Sequence, residues 1–413
     1  WDDIAEDLPE RGSVYSIAED HINPNLLFVG TEFGVFFTLD GGENWVPLKS
    51  GLPTIAVRDI AIQERENDLV LGTFGRGFYV LDNYSPLREL EYVLDQEAAF
   101  FTTKPGLLFR RANIGGTDYK GAQLYKAKNP EVGTTFEWYL AENAKRVKEN
   151  RPEANNELPH YPSLDQLQAE DWEEKPYLLF EISDSLGNPV ARFTKSDSKG
   201  ISRHTWDGRM SSKASIRTNG EPVTEAYGTT FVLPGTYFLS LSRATNGALE
   251  TLVERHEFKV NHLYNYEGID MEFNQSVDAL MAVSNQINAQ YTELKEDLNR
   301  LRAGLRNTPG ASLEDLNTAR SIDIELRELG LLLKGDATRT KREFEAGASL
   351  GDVTGLLAWG TFNHRGAPTG SMRAMKEDAE AMIADATAAL EKIDEKLDQL
   401  EANAREQGVP YWD

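Results

Sequence analysis

The sequence predicts a multidomain, mainly β protein that carries the last blades of a β-propeller, then a β-sandwich, and a C-terminal antiparallel α-helical bundle. Three observations lead there: an internal repeat at an offset of 42 to 43 residues near the start, short alternating runs broken by turn signals in the middle, and a long heptad pattern at the end. The 413 residues suffice for two to four domains at roughly 100–200 residues each. With 67 acidic against 43 basic side chains the net charge is −24, which sets the chain against phosphate backbones and anionic lipid surfaces. Nucleic acid is therefore not an expected partner. No run approaches the roughly 18 apolar residues that span a bilayer. The absence of cysteine removes disulfides, thiolate metal sites and a cysteine nucleophile.

The propeller reading covers residues 1–95. Val14-Tyr15-Ser16-Ile17-Ala18 recurs as Val57-Arg58-Asp59-Ile60-Ala61, and Leu27-Phe28-Val29-Gly30-Thr31 recurs as Leu69-Val70-Leu71-Gly72-Thr73. Each copy holds three short β-rich runs separated by Gly, Asn, Asp or Pro, and that period and strand count describe a propeller blade. The opening Trp1 to Pro9 matches Trp45 to Pro53 at an offset of 44. Closed propellers need about four to eight blades. Residue 1 thus reads as an interrupted repeat, and the expected partner of these blades is a set of missing N-terminal blades of the same protein.

Between the copies stands Thr38-Leu39-Asp40-Gly41-Gly42-Glu43-Asn44-Trp45, which resembles the Asp-box, or BNR repeat. The resemblance implies structural roles for Thr38, Asp40, Gly42 and Trp45: Asp40 caps a glycine turn and Trp45 packs between blades. An aspartate is a natural acceptor for turn N–H groups.

Residues 96–262 read as antiparallel sandwich, from runs such as Tyr177–Ile182 and Tyr237–Leu241 between turns such as Leu186-Gly187-Asn188-Pro189. Residues 141–175 interrupt it with mixed charge and three prolines, as an exposed insertion with a short helix around Ser163–Trp172. Gly200 to Arg209 followed by Pro234-Gly235-Thr236-Tyr237 resembles the immunoglobulin-like module of flagellar hook-cap proteins, which implies a core Trp206 and a turn at Asp207-Gly208.

Residues 263–413 read as a three-helix bundle. Phe273, Val277, Leu280, Ser284, Ile287, Tyr291, Leu294, Leu298, Leu301 and Leu305 step by four and three alternately. Pro309-Gly310 ends that helix, Ser312 opens a second running to about Glu345, and Ala367-Pro368-Thr369-Gly370 leads into a third.

Taken together with Gly72-Thr73-Phe74-Gly75-Arg76-Gly77-Phe78-Tyr79 and Asn129-Pro130-Glu131-Val132-Gly133-Thr134, the chain is similar to large bacterial secreted proteins with sortilin-like BNR-repeat propellers, often grouped with glycosyl hydrolases. The resemblance implies an extracytoplasmic place, in the periplasm, on the outer surface or secreted, and a propeller that binds a glycan polymer or an envelope protein. It supplies no catalytic set. Arg76, Asp82 and Tyr84, at the end of the last blade, are the candidate ligand-binding residues, with core or turn roles as the other reading. Six scattered histidines offer no metal site: His256 and His262 would lie about 20 Å apart on a strand. No phosphate-cradling glycine loop, zinc-binding helix motif or Gly-x-Ser-x-Gly elbow is present, and no cofactor is expected.

Two functions are weighed. One is an extracytoplasmic binding or scaffold protein. The other is a glycoside hydrolase, sialidase-like or another glycanase, with its active site mostly in the missing N-terminal blades. A hydrolase would show an aromatic-lined groove and two carboxylates about 5–10 Å apart; a scaffold would show a polar face and an exposed apolar seam.

Overall fold

The structure is a computed structural model that describes residues 4–5, 7–49, 51–109, 127–150, 162–213, 216, 230–263, 268–364 and 366–410. Trp1 and part of the 141–175 insertion lie outside the described residues. Contacts gather the chain into two units: residues 1–208 with 234–261, and residues 209–233 with 262–413.

The first unit begins with a four-stranded antiparallel sheet, β1 (Val14–Glu19), β2 (Leu27–Thr31), β3 (Gly34–Thr38) and β4 (Val46–Pro47). A three-stranded sheet repeats it: β5 (Val57–Gln63), β6 (Asp68–Thr73) and β7 (Phe78–Leu81). The repeat extends to its irregularities. The register slips between Val14 and Ser16 in one sheet and between Val57 and Asp59 in the other. Thr31 Oγ donates to the Gly34 carbonyl at 3.1 Å, and Thr73 Oγ to that of Gly77 at 2.7 Å. The two sheets pack face to face, Phe28, Val35 and Phe37 of the first against Val57, Ile60, Leu69 and Leu71 of the second. Each of these buried side chains contributes about 1.5–3 kcal/mol.

Beneath the two sheets lies a charged node. Asp20 is buried, and its carboxylate accepts from Arg88 Nε at 2.8 Å, Arg88 Nη2 at 2.6 Å, the Tyr84 hydroxyl at 2.5 Å and the Asn23 amide at 2.7 Å. Burial alone would raise its pKa, but the bonds from Arg88 and Tyr84 hold it well below the carboxylate range.

After α1 (Leu90–Leu94) come β8 (Ala98–Phe100), β9 (Gly106–Leu108), β10 (Thr134–Leu140), α2 (Leu164–Asp171), β11 (Tyr177–Asp184), β12 (Pro189–Ser196), β13 (Gly200–Trp206), β14 (Gly235–Thr245) and β15 (Ala248–His262). Ser163 and Gln166 close a capping box on α2. The strands form two sheets, ordered β13-β10-β8 and β12-β11-β14-β15-β9. Aromatic edges interlock between them: Phe136 and Trp206 meet Phe258 at centroid distances of 4.9 and 6.1 Å, and Trp138 meets Phe180 at 4.8 Å.

The second unit holds α3 (Met271–Asn307), α4 (Leu313–Lys334), α5 (Ala337–Thr340), α6 (Leu350–Asn363) and α7 (Gly370–Glu406). Eight of the ten expected seam positions on α3 are buried, and Leu280 and Leu294 are half-buried. The second helix does not run to about Glu345. It stops at Lys334, where Gly335 takes φ +81° as C-cap. A helix that the sequence reading omitted, α6, follows. Leu333 and Leu350 share one core cluster, while Leu357 and Ala358 join Phe273, Val277 and Met372 in another. The 22 residues of α4 and the 14 of α6 therefore cover successive lengths of the 37-residue α3 and α7, so the three-helix expectation becomes three rods with one of them broken. On α4, Glu325 accepts from Lys396 Nζ at 2.5 Å and Asp315 from Gln407 Nε2 at 2.5 Å, which sets α7 antiparallel to it. Among the described residues no helix is long and apolar enough to cross a membrane.

The stretch after β13 belongs with the helices. Arg209 pairs with Phe231 in a β-bridge, and its guanidinium lies 5.0 Å from the Phe231 ring centroid and 5.4 Å from that of Phe362. Asp278 on α3 accepts from the Thr230 amide at 2.6 Å and its hydroxyl at 2.7 Å. Burial pushes the Asp278 carboxyl up to about 6, against the opposing pull of the Thr230 bonds, Lys213 and Arg209. A carboxyl raised in the fold stabilises it below the unfolded pKa and loses that contribution as pH rises through the folded value. Asp278 should thus make the helical unit more stable at pH 5 than at pH 7, by about 1–2 kcal/mol after allowance for solvent screening. Asp278→Asn should flatten that slope, and equal urea midpoint shifts in the two proteins would refute the assignment.

Candidate functional site

The Asp-box residues form a closed local network. Thr38 Oγ bonds Asp40 Oδ1 at 2.5 Å and accepts from the Gly42 amide at 3.1 Å, while Asp40 accepts from the Asn44 amide at 2.9 Å and the Asn44 side chain at 2.7 Å. Those bonds from Thr38 and Asn44 hold the Asp40 carboxyl well below its usual range, so it carries no proton to donate at neutral pH. Gly42 has φ +110°, and a Cβ there would lie 2.9 Å from Ile4 Cβ. Trp45 is buried, its Nε1 donating to the Ile4 carbonyl at 2.7 Å.

A cleft of about 740 Å³ in the first unit lies where the β5–β7 sheet meets β10 and β13. Arg203, one of its lining residues, is held by a cross-strand partner that is not itself in the lining. Glu137 of β10 stands directly opposite Arg203 of β13, and Arg203 Nε donates to Glu137 Oε1 at 2.7 Å. A second guanidinium nitrogen bonds the same carboxylate, and Nη2 also reaches the Asp82 carbonyl at 3.0 Å. Asn83 completes the clamp: its Nδ2 donates to Glu137 Oε2 at 3.2 Å and its amide to Asp68 Oδ1 at 3.0 Å. Asn83 stands 43 residues after Asp40, at φ +52°. At this repeat position the side chain keeps one bond within its own turn, accepting from Ser85 Oγ at 2.7 Å, and turns its Nδ2 outward. It fastens the end of the last repeat to the following sheets.

Asp68, Asp82, Thr135 and Thr205 line the cleft; His204 borders it too, but as the strand neighbour of Arg203 it turns its ring to the opposite face, where it packs on Phe193 at a centroid distance of 4.6 Å. Burial first, and the neighbouring Asp68 second, raise the Asp82 carboxyl, with Arg203 opposing. Burial, assisted by Lys195, lowers the His204 pKa and favours its neutral form. Burial raises Glu137, partly offset by Arg203 and Asn83. At the rim Lys104 pairs with Glu66. Among the described lining residues there is no Trp, Tyr or Phe, and among the described residues no cluster of three metal-ligating side chains occurs.

The three nominated ligand residues separate. Asp82 lines the cleft. Tyr84 is buried, with its hydroxyl bound to Asp20, so it does not face that space. Arg76 is exposed in the β6–β7 turn, away from the cleft lining. Asn83, Glu137, Arg203 and His204 were missed, although Asn129 to Gly133, part of a motif already singled out, contributes four lining residues.

No protein-family model matches the chain, and no curated protein matches it. Solved structures with similarity include the extracellular domain of a hybrid two component system of B. thetaiotaomicron, at 11% identity and a TM-score of 0.15, over 62% of this chain and 26% of that one. A second is the extracellular domain of a one component system of the same organism, at 11% identity and a TM-score of 0.14, over 61% of this chain and 25% of that one. The aligned part spans about a quarter of those chains, and this loose likeness defines no fold.

Proposed function

We propose that the protein is an extracytoplasmic bacterial binding and scaffold protein, in which the β1–β4 and β5–β7 sheets are propeller blades, the paired sheets are an immunoglobulin-like sandwich, and the cleft holds a hydroxyl-rich polymer such as a glycan. The blade reading is supported by two consecutive antiparallel sheets with shared register slips and a shared face-to-face core. The observation that carries the binding reading is the cleft lining: carboxylates, Lys104 and threonine hydroxyls suit hydrogen bonding to hydroxyl groups, and no Trp, Tyr or Phe is among the described lining residues. Glu137, buried and outside the cleft lining, is held by Arg203 and Asn83, which favours a clamp over a proton-transfer role.

The reading predicts that the full chain is retarded in gels containing soluble polysaccharides, and that Asp82→Asn with Thr205→Ala weakens retention by about tenfold, the cost of roughly one good hydrogen-bonded contact. Unchanged retention in that variant would remove the cleft from the account. Release of new reducing ends that disappears in Asp82→Asn would decide for a hydrolase.

A further inference from the structure

On the outer face of the five-stranded sheet, β15 carries a bulge. Leu239 pairs with His256 and Leu241 with Val253, so Glu254 and Arg255 together stand opposite the single residue Ser240. In a regular strand two such neighbours point to opposite faces, yet here both line one cleft of about 350 Å³. Its floor comes from the outward positions of β11 and β14, where Glu181 faces Ser240 and Ser183 faces Phe238 across the ladder. The turn at Ser185-Leu186-Gly187 borders it.

The bulge sets the Arg255 guanidinium over the Phe238 ring, 3.6 Å from its centroid. Among the described residues no carboxylate pairs with this guanidinium, and two of the acids beside it are already engaged. Glu181 accepts from Arg192 Nε at 2.9 Å, and Asp184 accepts from the amides of Leu186 and Asn188, both at 2.9 Å. A planar fork of N–H donors held on an aromatic ring matches the geometry of a carboxylate. Ser183, Ser240 and Glu254 beside it offer donors and acceptors for hydroxyl groups. The net charge of −24, with Glu181, Asp184 and Glu254 in the lining, works against a polyanion or a doubly charged phosphate and leaves a singly charged ligand.

We propose that this cleft binds a saccharide bearing a single carboxylate, such as a neutral chain with one uronic acid residue, with Arg255 taking the carboxylate and Ser183, Ser240 and Glu254 the hydroxyls. It shares no lining residue with the cleft beside Asp82. The inference therefore stands apart from the reading of that cleft, and loss of polysaccharide retention there leaves it untouched.

Isothermal titration of the full chain with xylotriose carrying one glucuronic acid, against plain xylotriose, tests it. The acidic saccharide should bind about tenfold more tightly or better, the difference made by one charge-assisted contact. Arg255 is exposed, so its substitution leaves the core intact. Arg255→Lys keeps the charge but loses the fork, and it should remove most of that advantage. Equal affinity for the two saccharides, no measurable binding of the acidic one, or an advantage that survives both Arg255→Lys and Arg255→Ala overturns the proposal. A peptide with a free C-terminal carboxylate that binds as tightly as the acidic saccharide overturns the saccharide assignment. An advantage lost in Asp82→Asn with Thr205→Ala but kept in Arg255→Lys would place the carboxylate in the other cleft and likewise overturn it.

Discussion

Asp20→Ala is expected to destabilise the first unit by about 3–5 kcal/mol, the range for removing one partner of a buried ion pair. The Asp20 side chain has no exposed surface and that of Arg88 is 13% exposed, so water cannot replace the lost carboxylate. Arg88 would keep only neutral partners, the Asn67 side chain at 2.8 Å and the Tyr84 hydroxyl at 3.5 Å, while that hydroxyl would lose its close acceptor and keep only His21 Nδ1 at 3.5 Å. Asp20→Asn should fall between, since its oxygen can still accept from Tyr84 while its amide hydrogens oppose Arg88. Near-ultraviolet circular dichroism, which follows the aromatic core of this unit, should show a midpoint lower by about 10 °C. A shift below about 2 °C would mean that the node is dispensable.

The same node shows why the sequence could nominate Tyr84 but not assign it. Its partner Asp20 lies 64 residues earlier, and nothing local marks the two as neighbours. What was legible was periodic. The strands of the repeat appear at both copies, and α3 and α7 follow their heptads, because period-two and period-3.5 patterns are written in consecutive residues. What was hidden depends on contacts between distant residues. Helix α6 was passed over because Gly351, Gly355 and Gly360 read as loop and its apolar residues surround the axis without a single stripe. The cleft was hidden for another reason: Glu137 meets Arg203 across 66 residues, through a strand pairing that the intervening 141–175 stretch obscures.

The strand pairing that makes the cleft depends on one glycine. Gly133 has φ +142°, and a Cβ there would sit 2.0 Å from the Trp206 carbonyl oxygen and 2.9 Å from Asp207 Cα. These are backbone atoms at the first rung of the β10–β13 ladder, where Thr134 pairs with Trp206, so they cannot move without opening the ladder. Gly133→Ala should therefore destabilise the first unit by about 3 kcal/mol or more, combining backbone strain with overpacking. Gly187 is the control: it has φ +85° but no atom within 4 Å of its Cβ position, so Gly187→Ala should cost about 1 kcal/mol from conformation alone. The two substitutions differ in what surrounds the new methyl group, and neither removes a polar side chain of the cleft. Urea unfolding of the full chain separates the cases. Equal midpoint shifts would show that the β10–β13 rung tolerates displacement, and the Glu137–Arg203 pair three rungs further along would then not depend on Gly133 for its position.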